Sequence, residues 1–210
     1  MNHRTVLMVT LIFFSINLKK INAQEHQIGF STQIGKTTIL DESESIALIN
    51  PLSKKKDNKN YALKLNYFLT PNYSIFRIKT GIGFLNKKLN LDDLDYIEIP
   101  LGLEFVIGKK LNLLTGFSFS YRKLINKKNY ATVIYNYENN VFSYEINLGL
   151  EYKLNNNFNF NIIYLIDKDI NSSFFLLKTN PTGIGTSSIN MKTSDGGIRV
   201  GVIYKLFKKK

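Results

Sequence analysis

The chain has 210 residues, 28 Lys and Arg against 16 Asp and Glu, no Cys and no Trp, for a formal charge of +12. This length points to one domain, and the lack of Cys excludes a disulfide framework, a thiolate metal site, a Cys nucleophile and a lipid-modified cysteine. A hydrophobic share of 44% and an aromatic share of 13% argue against wholesale disorder, and no apolar run of about 18 residues follows the N-terminal segment, which excludes a helical membrane bundle.

Residues 1–23 have the layout of a secretory signal: a basic start at Arg4, an apolar run over 5–16, and a small residue, Ala23, before the expected cut. Lys19 and Lys20, between the apolar run and the cut, depart from that layout. The competing reading is an uncleaved anchor, but the apolar run spans about 18 Å as a helix against about 30 Å of hydrocarbon. Arg4, Lys19 and Lys20 are the basic residues of 1–24, which holds no acid, so from Glu25 on 25 basic residues face 16 acids, a charge of +9.

Residues 24–210 form the expected barrel domain, because period-two alternation runs through it and no helical period of useful length competes. The first strand is weak, with Ile28, Phe30 and Ile34 against Gln27, Gly29, Ser31, Gln33 and Gly35. The second sets Tyr61, Leu63, Leu65 and Tyr67 against Ala62, Lys64 and Asn66, and the third sets Phe76, Ile78, Ile82 and Phe84 against Arg77, Lys79, Gly81 and Gly83. Ile97 to Phe105, Leu111 to Tyr121, Phe142 to Tyr152, Phe158 to Ile166 and Ile198 to Leu206 repeat the pattern. Eight strands of about ten residues follow. Short turns are expected at Thr70-Pro71-Asn72, Gly108-Lys109-Lys110 and Asn155-Asn156-Asn157, and long connections at 41–58, 86–94, 123–140 and 168–195. Short turns alternating with long loops predict an all-β, eight-stranded antiparallel up-and-down transmembrane barrel with short periplasmic turns and long outer loops.

Alternation fits two opposite objects, a soluble lipocalin-like barrel with its apolar face inward or a membrane barrel with that face on lipid. Volume separates them. The apolar face holds many Phe, Tyr and Leu side chains, which would overfill an eight-stranded interior, whereas the other face is rich in glycine and serine, which a narrow lumen needs. The apolar face is therefore placed on lipid. Tyr67, Tyr73, Phe105, Tyr152, Phe158 and Tyr204 near the short turns, and Phe84, Tyr121, Phe142 and Tyr164 near the long loops, are expected to form two interfacial aromatic belts. The inward charges are Lys64, Arg77, Lys79, Arg122, Arg199 and Lys205 against Glu98, Glu104, Glu145, Glu151 and Asp167. Unpaired buried charge is costly, so a paired structural network is expected to plug the lumen. Pro100 lacks the amide donor that a closed sheet needs, which predicts a bulge or a local break in the ladder.

The segment Tyr96-Ile97-Glu98-Ile99-Pro100-Leu101-Gly102-Leu103-Glu104-Phe105, with Gly108-Lys109-Lys110-Leu111 and Thr115-Gly116-Phe117, resembles the outer-membrane beta-barrel domain of Bacteroidota, the family that includes PorT-like proteins. Gly197 to Phe207 resembles the closing strand of that family, although Lys208-Lys209-Lys210 extends past the terminal aromatic. The resemblance implies an outer-membrane barrel, in some members attached to type IX secretion machinery.

No catalytic, cofactor or metal site is expected. After the signal only His26 remains, opposite the long loops, which argues against a Ser-His or Asp-His centre and leaves a surface histidine. Asp92, Asp93 and Asp95 read as a solvated loop rather than a Ca²⁺ site, and Gly183 and Gly185 precede no helix that would complete a phosphate cradle. Lys54-Lys55-Lys56, Lys87-Lys88, Lys109-Lys110 and Lys127-Lys128 are dispersed rather than aligned in an aromatic groove, so no nucleic-acid partner is expected. The expected partner is outer-membrane lipid, with anionic lipopolysaccharide a candidate contact. The sequence thus reads as a monomeric, non-enzymatic outer-membrane barrel with a structural or loop-mediated adhesive role. The alternatives are an accessory component of a type IX-like secretion apparatus, interacting with secretion-system proteins, and a soluble lipocalin-like barrel binding an apolar ligand.

Overall fold

A computed structural model describes residues 23–41, 58–71, 75–89, 92–129, 135–179 and 186–208, and every regular element among them is a strand. In chain order these are β1 (Ala23–Asp41), β2 (Lys59–Pro71), β3 (Phe76–Leu89), β4 (Asp92–Gly108), β5 (Leu111–Asn129), β6 (Tyr135–Tyr137), β7 (Asn140–Lys153), β8 (Phe158–Asp169), β9 (Phe174–Thr179) and β10 (Thr186–Lys208). Eight of them, β1-β2-β3-β4-β5-β7-β8-β10, form a continuous antiparallel sheet that β10 closes against β1. β9 and β6 extend the sheet from the first residues of β10, beyond the end of the barrel. The expected signal, 1–23, lies outside the described residues apart from Ala23, which opens β1, and Tyr73 lies outside them as well.

Alternation dictates this sheet, and burial fixes which way each face points. Phe30, Leu63, Leu65, Phe119, Ile146 and Leu148 are about half exposed on the outer wall, while Lys64, Arg77, Glu98 and Arg199 are buried inside it. The lipocalin-like reading fails on this point, because the residues that would have to line an apolar pocket cover the exterior.

The eight barrel strands are longer than about ten residues, reaching 23 in β10, and this revises the expected loops. The connection expected over 86–94 is mostly sheet: Lys87 pairs with Leu94 and Leu89 with Asp92, leaving only 90–91 between the strands. The expected acidic loop is therefore strand. Asp92 is buried and accepts a hydrogen bond from the Tyr137 hydroxyl at 2.5 Å, and Asp95 accepts from Asn86 at 2.7 Å and Asn126 at 2.9 Å. The 123–140 and 168–195 segments likewise contain the end of β5, all of β6 and β9, and the start of β10.

Two of the expected short turns form at the other end, while the one at Thr70-Pro71-Asn72 lies partly outside the described residues. At Gly108 the backbone adopts φ +142°, and a Cβ there would sit 2.9 Å from the Cα of Asn112, so the residue must be glycine. Asn155 Oδ1 accepts from the Asn157 and Phe158 amides at 2.8 and 2.9 Å, a side chain standing in for a backbone turn. Pro100 produces a break rather than a bulge. The β3–β4 pairing runs through Thr80–Leu101 and resumes in the same register at Gly83–Glu98, with no bridge at Ile99 or Pro100, while Pro100 stays paired with Ser120 on β5. Its missing donor thus faces β3 only, and the register shift in this region falls instead between Asp95 and Tyr96, against β5.

Candidate functional site: a filled lumen and an outer cap

Inward positions recur at every second residue, so eight adjacent strands project their polar side chains onto one axis. The result is a continuous ladder of ion pairs. Lys87 contacts Asp195 at 2.9 Å and Asp169 at 3.6 Å. Arg122 joins Asp169 at 3.1 Å, Asp167 at 2.6 Å and Glu98 at 3.8 Å. Lys64 bridges Glu98 at 2.8 Å and Glu145 at 3.7 Å. Glu145 accepts two hydrogen bonds from the Arg199 guanidinium and lies 3.6 Å from Lys79. Lys79 reaches Glu104 at 3.3 Å, and Arg77 closes the ladder on Glu104 and Glu151, both at 2.8 Å.

The structure thus brings together Lys64, Arg77, Lys79, Glu98, Glu104, Arg122, Glu145, Glu151, Asp167 and Arg199. It leaves Lys205 apart, paired at 2.6 Å with Glu25 at the short-turn mouth and partly exposed. Sequence reasoning passed over Lys87, Asp169 and Asp195, which share inward parity with the rest. The signal was there: Lys87 lies four residues beyond Gly83, Asp169 two beyond Asp167, and Asp195 four before Arg199. Neutral polar groups fill the remaining gaps. Ser120 donates to Glu98 at 2.8 Å, Asn159 to Glu151 at 2.8 Å and Thr37 to Asp195 at 2.6 Å.

Small residues make room for these long side chains. A Cβ on Gly102 would lie 2.8 Å from the Ser118 Cα and closer still to the Ser118 Cβ and the Phe117 carbonyl, none of which can move without the strand. Gly102→Val is therefore expected to destabilise the barrel by about 1–3 kcal/mol through overpacking, read as a lower urea midpoint with an unchanged slope.

Above the ladder the inward face turns apolar. Ala62, Leu85, Leu89, Leu94, Tyr96, Val141, Phe174 and Met191 form a buried cluster with Tyr137 packed against it. The Tyr137 ring packs tilted against Phe174 at 5.5 Å, and Lys127 Nζ lies 4.8 Å above it. Ser173 donates to the Asp169 carboxylate, which ties the β8–β9 connection to the top of the ladder. The outer mouth is thereby capped. At the short-turn mouth a cavity of about 260 Å³ remains, lined among others by Glu25, Arg77, Asn112, Glu151 and Lys205.

The described aromatics of the expected belts lie on the outer wall. Phe158 and Tyr204 pack at 5.0 Å at the short-turn end, where Tyr67, Phe105 and Tyr152 also sit. Tyr121 and Phe142 pack at 5.4 Å toward the long-loop end, with Phe84 and Tyr164. Tyr61 and Phe76 share this wall, and Phe30, Phe117 and Phe119 occupy its middle, so aromatics are not confined to the two rims. His26 is bonded through Nδ1 to the Tyr67 hydroxyl rather than standing alone on the surface.

The fold is shared with solved outer-membrane barrels. Neisserial surface protein A superposes with a TM-score of 0.51 at 10% identity, covering 87% of this chain and 97% of that one. OprG from Pseudomonas aeruginosa gives 0.47 at 14% identity over 88% and 97% of the two chains. A major outer membrane protein from Thermus thermophilus gives 0.47 at 10% identity over 86% and 99%. No curated protein sequence matches the chain. The outer membrane protein beta-barrel domain matches residues 7–205, nearly the whole sequence, and with the closed barrel and its apolar exterior this establishes that the chain belongs to that family.

Proposed function

We propose that this outer-membrane barrel is a non-enzymatic, monomeric envelope protein that works through its outer extension, while the lumen serves as a structural plug. The observation that carries this reading is the double closure of the lumen, by the ion-pair ladder and by the Tyr137–Phe174 cap. A filled eight-stranded barrel has no channel to offer. What it does offer is the sheet raised above the outer rim, where Lys88, Lys123, Lys127, Lys128 and Lys168 are exposed. Such a rim suits contact with anionic surface polymers. The strand 96–105 and the Gly108 turn support a narrower placement among PorT-like proteins of Bacteroidota, and co-purification with type IX secretion components tests that placement.

Two measurements test the main reading. In planar bilayers the purified protein should show no porin-size conductance steps. Liposomes carrying it should be retained on immobilised heparin, used as an anionic polysaccharide probe, and K123Q/K127Q/K128Q should lose that retention while keeping heat-modifiable gel mobility. Porin-size steps, or retention unaffected by the triple substitution, would overturn the proposal.

A further inference from the structure

The outer wall of the barrel carries a concave apolar patch that neither the plug nor the cap uses. Phe30, Leu63, Leu65, Ile82, Phe84 and Ile97, from β1 to β4, frame a groove of about 310 Å³. They are neighbours in the sheet: Phe30 opposes Leu65, Leu65 opposes Ile82, Leu63 opposes Phe84 and Phe84 opposes Ile97. The groove lies on the half of the barrel nearer the long loops, within the outer leaflet, and its lining chemistry is that of a hydrocarbon chain.

A row of cations stands directly above it. Continuing outward along the same strands past Ile34 and Tyr61, Lys36 and Lys59 face one another across the β1–β2 pair. Asn60 opposes Lys87, which places Lys88 beside Lys59 on the same outward face. All three lysines are exposed. With strands about 4.8 Å apart, the three positions span about 10 Å, and the four residues from Leu63 to Lys59 raise them about 13 Å above the groove. Like charges directly opposite on adjacent strands destabilise a sheet. Asp93 lies 3.9 Å from Lys88 with both groups partly in solvent, where such a pair is worth little. An anion spanning the row would meet three exposed lysines of one face.

We propose that this face of β1–β4 is a binding site for a phosphorylated, multiply acylated glycolipid of the outer leaflet. One acyl chain lies in the groove, and phosphate groups lie across Lys36, Lys59 and Lys88. A cationic row about 10 Å long exceeds the reach of one phosphate, which favours a lipid with two phosphates on a sugar framework over a glycerophospholipid.

The test is native mass spectrometry of the full chain in detergent with diphosphoryl lipid A, with phosphatidylglycerol as the competing probe. The wild type should retain one lipid A per barrel in preference to phosphatidylglycerol. K36Q/K59Q/K88Q should weaken retention by about a hundredfold, from a factor of about five per lysine. Ile82→Trp, which fills the groove and leaves every lysine in place, should weaken it as well. K109Q/K110Q, at the periplasmic end, should retain lipid A as the wild type does. Heat-modifiable mobility confirms closure of each variant. Equal retention of phosphatidylglycerol, retention indifferent to the triple substitution or to Ile82→Trp, or equal loss in K109Q/K110Q would each overturn the site.

Discussion

Replacing Arg199 by Met is expected to lower the stability of the barrel by about 3–5 kcal/mol, the cost of stranding a charge in a buried ion pair. Arg199 is 2% exposed, gives two hydrogen bonds to Glu145 and a third to Gln33 at 3.1 Å, and ties β10 to β7 and β1 across the axis. Its loss leaves Glu145 with Lys64 at 3.7 Å and Lys79 at 3.6 Å, both already engaged with other carboxylates. Urea unfolding from lipid vesicles, followed by tyrosine fluorescence or gel mobility, measures the effect. The double substitution Arg199→Met with Glu145→Met removes both charges and should recover most of the loss, since a buried pair is often matched by apolar groups of similar volume. If the double variant is no more stable than the single one, Arg199 acts through packing rather than through charge.

The second large effect is expected on the opposite face. Ile146 is 58% exposed, lies between Phe117 and Ile166 on the adjoining strands, and falls near the middle of the span from Phe142 to Tyr152. Ile146→Arg should cost about 2–4 kcal/mol, the penalty for a cation on the lipid face at the bilayer midplane. Ile146→Phe should be close to neutral in the same unfolding series, because its side chain remains in hydrocarbon. Near-identical stability of the Arg and Phe variants would mean that this face does not meet the hydrocarbon core.

The barrel was legible in the sequence because lipid enforces contrast. Where Leu63, Leu65, Ile82, Phe84 and Ile146 face hydrocarbon, every second residue must be apolar, and the inward parity of Lys64, Arg77, Glu98, Glu145 and Arg199 follows from their neighbours. Legibility faded where the strands leave the membrane. Beyond Phe84 the outward residues become Asn86 and Lys88 while Leu85 and Leu89 turn inward, so the contrast inverts and strand reads as loop. The same inversion hid Lys87 among surface lysines and Asp92 among solvated acids. The cap was not legible at all. Tyr137 and Phe174 meet because β6 pairs with β9 across the intervening β7 and β8, a register that no local pattern announces. At Pro100 the sequence predicted a disturbance, but only the pairing shows which neighbour loses its bond.

The closing pair has a kinetic consequence. β1 and β10 join opposite ends of the described chain, in a run of partners from Glu25–Lys208 to Asp41–Met191. Until that run forms, both strands expose unpaired amides, which hydrocarbon does not tolerate, so no partly assembled barrel is a resting state within the bilayer. Among the described strand pairs, the contact that ends this exposure has the greatest sequence separation and carries the largest loop-closure entropy. Closure of this barrel therefore waits on the meeting of β1 and β10, the last edge pair to lose its exposed backbone groups.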